Sequence, residues 1–284
     1  MKEKIYKPKK SLGQNFLKSI LALRKIIETG EIKPDDIILE IGPGKGALTE
    51  KLLEKAGLVV AVEKDRELFQ FLKIKFAEKI KSKSLLLIQE DILEFQITNY
   101  ELRNYKIIAN IPYNITGVIL KKFLTEKNQP ESMVLMVQHE VARRIVAHDK
   151  KESILSISVK AYGKPKMIMK VPARYFSPAP KVDSAIISIK NISRKNFALN
   201  SPLEEYPLGG GGLSTPSRQR ATPQEGNNEE RFWKIVKAGF AHKRKKLSSN
   251  LKTLQNVNKT SISELGNKRA EDLTLLDWIS LARA

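Results

Sequence analysis

The strongest chemical signal in the chain is the stretch Glu40-Ile-Gly42-Pro-Gly44-Lys-Gly46. Glycines at alternate positions let the backbone turn tightly and approach a ligand, and a helix beginning there offers unpaired N–H groups. Such a turn by itself suits many nucleotide cofactors. Two acids narrow the choice. Glu63 follows Gly42 at the distance where a carboxylate can accept from both hydroxyls of a ribose, and Asp91 is suited to the edge of an adenine ring. The spacing G-x-G-x-G also departs from the dinucleotide fingerprint G-x-G-x-x-G. Glu40, just ahead of the first glycine, would repel a pyrophosphate. Its negative potential favours a cofactor that carries an amino acid moiety and a sulfonium cation.

Secondary structure must bring these residues together. Residues 37–41 (IILEI), 58–63 (LVVAVE), 84–89 (SLLLIQ), 105–109 (YKIIA) and 132–138 (SMVLMVQ) read as short buried strands. Residues 47–56 and 65–80 have helical spacing, the second with apolar Leu68, Phe69, Leu72 and Phe76. Near-continuous apolar strands alternating with helices predict an α/β fold with a doubly wound, mostly parallel sheet. The runs 166–171 and 184–190 have no helix between them and predict an antiparallel pair closing one edge. Glu40, Glu63, Asp91 and Asn110 then stand at the carboxyl ends of strands, where open α/β sheets bind ligands.

Residues 200–230 differ in kind, being rich in Gly, Pro, Ser and Gln and containing four consecutive glycines. They read as a linker between a domain at 1–199 and a small helical domain at 231–284. The last segment carries twelve Lys and Arg against four Asp and Glu, a net charge of +8. Over all 284 residues the net charge is +20, which favours polyanionic partners, nucleic acid first. There are no cysteines, and the histidines 139, 148 and 242 lack ligand spacing, so no metal site is expected. No apolar run reaches the length of a membrane span or a signal peptide, and the reading is of a soluble, cytoplasmic protein.

The E-x-G-x-G-x-G turn resembles the cofactor loop of class I methyltransferases, which bind S-adenosylmethionine. In that light Asn110-Ile111-Pro112-Tyr113, at the end of the fourth strand, acquires a role. An exocyclic adenine amine is a poor nucleophile because its lone pair is delocalised into the ring. The Asn110 carboxamide oxygen and the Ile111 carbonyl can each accept one N6–H, holding the nitrogen towards tetrahedral geometry for in-line attack on the methyl. Pro112 stiffens the turn, and the Tyr113 ring can stack on a flipped-out base. No general base is required beforehand.

Lys10-Ser-Leu-Gly13-Gln14-Asn15-Phe16-Leu17, Asn110-Ile-Pro-Tyr113 and Phe176-Ser-Pro-Ala-Pro-Lys-Val-Asp183-Ser184 together resemble the ribosomal RNA adenine N6,N6-dimethyltransferases, above all the KsgA-type small-subunit (16S) enzymes. The similarity covers about residues 9–190. It implies cofactor contacts at Asn15, Leu17, Gly42, Glu63, Asp91 and Asn110, to which the glycine turn itself adds Glu40 and Gly44, and base contacts at Tyr113 and Phe176. It also implies dimethylation of two adjacent adenines in a hairpin loop near the 3′ end of small-subunit rRNA, with a part in ribosome biogenesis. Cations assigned to RNA are Lys9, Lys10, Arg143, Arg144, Lys181, Lys243, Arg244, Lys245 and Lys246. The basic C-terminal domain resembles the module that docks on the pre-small subunit, and a monomer is expected. Two other readings compete. The large-subunit (23S) dimethylases of antibiotic resistance share several motifs, and a non-catalytic RNA-binding assembly factor would show erosion of motifs that are intact here.

Overall fold

The computed structural model describes residues 6–100, 102–198, 223–242, 244–252, 254, 262 and 264–283. It divides into two compact units, Met1–Val146 with Lys164–Ile192 and Ala147–Gly163 with Ser193–Ala284.

In the first unit the chain runs through β1 (Phe16–Leu17), α1 (Ile20–Gly30), β2 (Ile37–Ile41), α2 (Ala47–Leu53), β3 (Leu58–Glu63), α3 (Arg66–Lys75), α4 (Ala77–Lys81), β4 (Leu85–Gln89) and β5 (Tyr105–Asn110). It continues through α5 (Thr116–Thr125), β6 (Met133–Gln138) and α6 (His139–Val146), and later adds β7 (Lys164–Val171), β8 (Phe176–Ser177) and β9 (Ser184–Lys190). Seven strands form one sheet in the order β4-β3-β2-β5-β6-β9-β7. β4, β3, β2, β5 and β6 are parallel, and β9 pairs antiparallel with both β6 and β7. The expected doubly wound sheet with an antiparallel edge is therefore present.

The central strands are apolar on both faces because helices cover both. Ile38, Leu39, Val59, Val60, Ile107 and Ile108 are completely buried. Each such side chain contributes about 1.5–3 kcal/mol when removed from water, which holds the strand ends firmly in place. The order of strands reverses between β2 and β5, leaving a crevice at their carboxyl ends.

The helix expected over 65–80 is broken at Phe76, whose backbone leaves the helical region between α3 and α4. The Phe76 ring at the break is 6% exposed, belongs to the core, and packs beneath Gly46. Asp65 caps α3, its Oδ1 accepting from the N–H groups of Glu67 and Leu68 at 2.8 and 3.2 Å.

The second unit differs from the expected boundaries. Residues 147–163, with helix α7 (Ile154–Lys160), and residues 193–198 belong to it rather than to the sheet domain. Aromatic packing explains why. Tyr162 stacks against Trp233 and contacts Phe197, which meets Phe232 edge-on. Arg194 pairs with Glu229 at 2.7 Å, and Trp233 Nε1 donates to the Tyr162 hydroxyl at 3.0 Å. The unit also contains α8 (Pro223–Gly239), α9 (Leu247–Leu251) and α10 (Leu275–Arg283). α8 takes in residues 223–230, which composition had assigned to the linker. Pro223 begins it, at a position where the missing N–H costs nothing. Residues 200–222 of the expected linker lie outside the described residues.

Candidate active site

A cavity of about 200 Å³ opens at the carboxyl ends of β2, β3, β4 and β5. Asn15, Leu17, Glu40, Gly42, Gly44, Glu63, Asp91, Asn110, Ile111, Pro112 and Tyr113 all line it. Residues scattered over a hundred positions are thus brought together by parallel pairing. Because β4, β3, β2 and β5 are successive neighbours, Asp91, Glu63, Gly42 and Asn110 follow one another along the crevice. At ~4.8 Å per strand that row extends about 14 Å.

Gly42 has φ +64°, and a Cβ built on it would meet nothing within 4 Å. The backbone there faces open space in the wall. Glu63 is buried, and both its oxygens accept backbone N–H groups, Oε2 from Gly44 at 3.1 Å and Oε1 from Asp65 at 2.9 Å. Burial raises its pKa, with those two N–H groups pulling the other way. The acid expected to meet a ribose therefore also braces the glycine turn. Each oxygen retains a second lone pair for a ligand.

Glu40 is 1% exposed, and its Oε2 has no partner. Its pKa is pushed up to about 8, chiefly by burial; the Thr49 hydroxyl opposes the shift and the Glu63 charge adds to it. Asp91 accepts from Lys64 Nζ at 2.6 Å and from the Leu93 N–H at 3.0 Å. Burial alone would raise its pKa, but the ammonium and the N–H outweigh burial and the net shift is downward. Asp91 is thus held ionised.

Asn110 is the last residue of β5, and its Nδ2 donates to the main-chain carbonyl of Asn15 at 3.1 Å. With the nitrogen engaged, the carboxamide oxygen is the group left to accept a ligand's hydrogen. The ring of Tyr113 is fixed through its hydroxyl, which hydrogen-bonds the buried Ser184 hydroxyl on β9.

Other expected site residues are placed differently. Phe176, expected against the base, is 2% exposed, sits in the core with Leu17, Val171 and Ile186, and is absent from the cavity wall. Its pairing with Leu17 in the β1–β8 ribbon turns the ring inward. Lys9, expected on RNA, pairs instead with Asp65 at 2.9 Å and Glu67 at 3.3 Å. Arg144, Lys181, Arg244, Lys245 and Lys246 are exposed, and Arg143 is half-buried on α6. The side chain of Lys10 and all of Lys243 lie outside the described residues. Sequence reasoning missed Asp65, Tyr6, Lys64 and Ser184 as supports of the site. Ser184 could have been found as the end of the Phe176–Ser184 motif; the others carry no local signal.

Among the described residues no group of three His, Cys, Asp or Glu could hold a metal ion, and no helix is long and apolar enough to cross a membrane.

The family profile "Ribosomal RNA adenine dimethylase" matches residues 5–201. The chain belongs to that family. It is accordingly an S-adenosylmethionine-dependent ribosomal RNA methyltransferase. Similar family members include the "Ribosomal RNA small subunit methyltransferase A" of Dehalococcoides mccartyi (strain CBDB1), 38% identical over 97% of this chain and 87% of its own length. The protein of the same name from Fusobacterium nucleatum is 36% identical over 98% and 97%. Among solved structures, a dimethyladenosine transferase from Plasmodium falciparum superposes with a TM-score of 0.71 at 24% identity, covering 94% of this chain and 95% of that one. The 23S rRNA methyltransferase ErmE gives 0.70 at 24% identity, covering 94% and 98%. These two likenesses concern the fold.

Proposed function

We propose that this dimethylase transfers methyl groups to N6 of two adjacent adenines in a hairpin loop near the 3′ end of small-subunit rRNA, giving N6,N6-dimethyladenosine. The observation carrying the catalytic part is the Asn110 carboxamide. It is oriented by Asn15 and stands beside the glycine turn on one cavity wall. The small-subunit assignment follows relatives of that name, which match along nearly the whole chain. The large-subunit reading has shared motifs and a likeness of fold in its favour, but neither of the two relatives named above.

The cavity suits S-adenosylmethionine on two grounds. Glu40 offers a buried carboxylate oxygen without a partner, and at Gly42 a Cβ would enter open space. When bound, that cofactor supplies an electrophilic methyl group on a sulfonium. Glu63 and the N–H groups of the turn would take the ribose and amino acid ends, and Asp91 the adenine. Burial keeps Glu40 protonated in the free protein, and a sulfonium cation beside it would favour its ionised form. Asn110 Oδ1 and the Ile111 carbonyl each accept one N6–H, turning the nitrogen lone pair towards the methyl carbon. N6, held by Asn110 and Ile111, would be the acceptor of the methyl group that the sulfonium of the bound cofactor supplies. The N6 proton then passes to solvent. Tyr113, held by Ser184, offers its ring for stacking. Most of the acceleration comes from alignment, for which effective molarities of roughly 10⁵ M or more are attainable.

Exposed Arg144, Lys181, Arg244, Lys245 and Lys246 contribute phosphate contacts without reading sequence. The second unit docks a cytoplasmic, monomeric enzyme on the pre-small subunit and serves its biogenesis. Mass spectrometry of unmethylated small and large subunits, incubated separately with the protein and S-adenosylmethionine, tests the reading. Dimethyladenosine should appear in the small subunit's 3′ hairpin; preferential modification of the large subunit overturns it. Loss of residues 231–284 should abolish subunit binding.

A further inference from the structure

The N-terminal segment has almost no regular structure, yet it forms one side of the cavity. Residues Ser11 to Leu17 line it, and among the described residues of the segment the only strand is the two-residue β1. One buried carboxylate gathers the side-chain bonds that hold this strap ahead of the β1–β8 ribbon. Asp65 Oδ2 receives Lys9 Nζ at 2.9 Å, the Tyr6 hydroxyl at 2.9 Å and Gln14 Nε2 at 3.2 Å. Gln14 is itself gripped through its Oε1, which accepts from the Lys9 N–H at 2.7 Å and, also at 2.7 Å, shares the single Tyr6 hydroxyl proton with Asp65 Oδ2. The next residue is Asn15, whose carbonyl accepts from Asn110 Nδ2.

We propose that Asp65 is a positioning residue for methyl transfer: it latches the strap, and the strap holds the Asn15 carbonyl where it fixes the orientation of the Asn110 amide. This rests on the role given to Asn110 above. A carboxamide has nearly equivalent ends, and rotation by half a turn would present N–H donors to an amine that needs acceptors. Asn110 itself cannot choose between those orientations. A fixed carbonyl at its nitrogen end does so, and that carbonyl is only as fixed as the strap. Asp65 divides its work cleanly. Oδ1 caps α3 and Oδ2 takes the strap, so the latch can be cut while the cap is kept.

Asp65→Asn does this, since asparagine caps helices as well as aspartate. Tyr6→Phe weakens the latch from the other side without touching the cap, and serves if the first variant fails to fold. Hydrogen exchange in the ligand-free protein is the primary measurement. Amides 11–17 and the Asn110 side-chain NH₂ should exchange about tenfold faster in either variant, the loss of roughly one hydrogen bond to a charged group. Exchange in β5 should be unchanged. With saturating S-adenosylmethionine and small-subunit RNA, kcat should fall about 10- to 100-fold, by more than KM for RNA rises. Unchanged exchange overturns the latch, and faster exchange with unaltered kcat overturns its role in positioning. A wild-type protein inactive on small-subunit RNA would defeat the substrate reading instead; the Asn110 NH₂ exchange would still decide the latch.

Discussion

Two sides of one cavity are built in opposite ways. The strand-end side carries Glu40, Glu63 and Asn110 on β2, β3 and β5, held by parallel ladders, and Asp91 just beyond the end of β4. The strap side, Tyr6 to Leu17, is held by side-chain hydrogen bonds gathered on Asp65 and by a two-residue ribbon. Ladder and core energies are spread over many residues, so the first side tolerates loss of any one polar contact. The strap concentrates its restraint in a few. That difference suits a site that must keep its chemistry rigid while letting an elongated cofactor in and out.

The largest effect should come from breaking the rigid side at its reacting end. Asn110→Ala removes an acceptor for N6–H and should lower kcat by about 10²- to 10³-fold, while calorimetry finds S-adenosylhomocysteine affinity close to wild type. Equal losses of binding and turnover would mean that Asn110 serves the cofactor rather than the amine.

Next is Glu40, a buried acid with one oxygen unpartnered. Glu40 keeps its proton in the folded chain up to about pH 8, whereas its ordinary value is 4.5. Between those values the unfolded chain has released a proton that the folded chain retains, so stability falls as pH rises through the window. Glu40→Gln should flatten that fall. Thermal melts should leave the variant close to wild type near pH 4.5 and more stable at pH 8, by on the order of a few kcal/mol. Parallel melting curves across the window would show that Glu40 is ionised throughout.

The strap can be strained without touching Asp65. Gly13 has φ +62°, and a Cβ there would stand 3.2 Å from Asn114 Oδ1 and 3.5 Å from Pro112 Cβ. Gly13→Ala should cost about 1–2 kcal/mol of local stability, read as faster amide exchange in the strap with the global melting temperature little changed. A matching fall in global stability would mean that the strap unfolds together with the sheet. The smallest effect should follow Ser184→Ala, which frees the Tyr113 hydroxyl. A neutral hydrogen bond is worth about 1 kcal/mol, so kcat/KM for RNA should drop by about fivefold and cofactor affinity not at all. A larger fall in cofactor affinity would move Tyr113 from the base to the cofactor.

The sheet was legible because its strands are buried on both faces and so read as continuous apolar runs bounded by turn residues. The acids and Asn110 were legible for a related reason: in a parallel sheet, position at a strand's carboxyl end already implies position at the crevice. The placement of Phe176 was not legible, because an aromatic in a motif reads the same whether it faces a ligand or the core. Only the inward pairing of Phe176 with Leu17 distinguishes the two. The boundary of the second unit was hidden because 147–163 joins it through tertiary packing of Tyr162 and hydrogen bonds near it, which leave no trace in local composition.

The sequence by itself determined the elements, their order and the chemistry at each strand end, since these depend on local periodicity and on residue type. Tertiary structure alone decided which oxygen of Asp65 holds the strap, which end of the Asn110 amide faces the cavity, and that Lys9 is engaged by carboxylates. Those outcomes depend on directions between groups far apart in the chain. Hydrogen bonds and ion pairs are decided by direction and distance, whereas burial is decided by pattern.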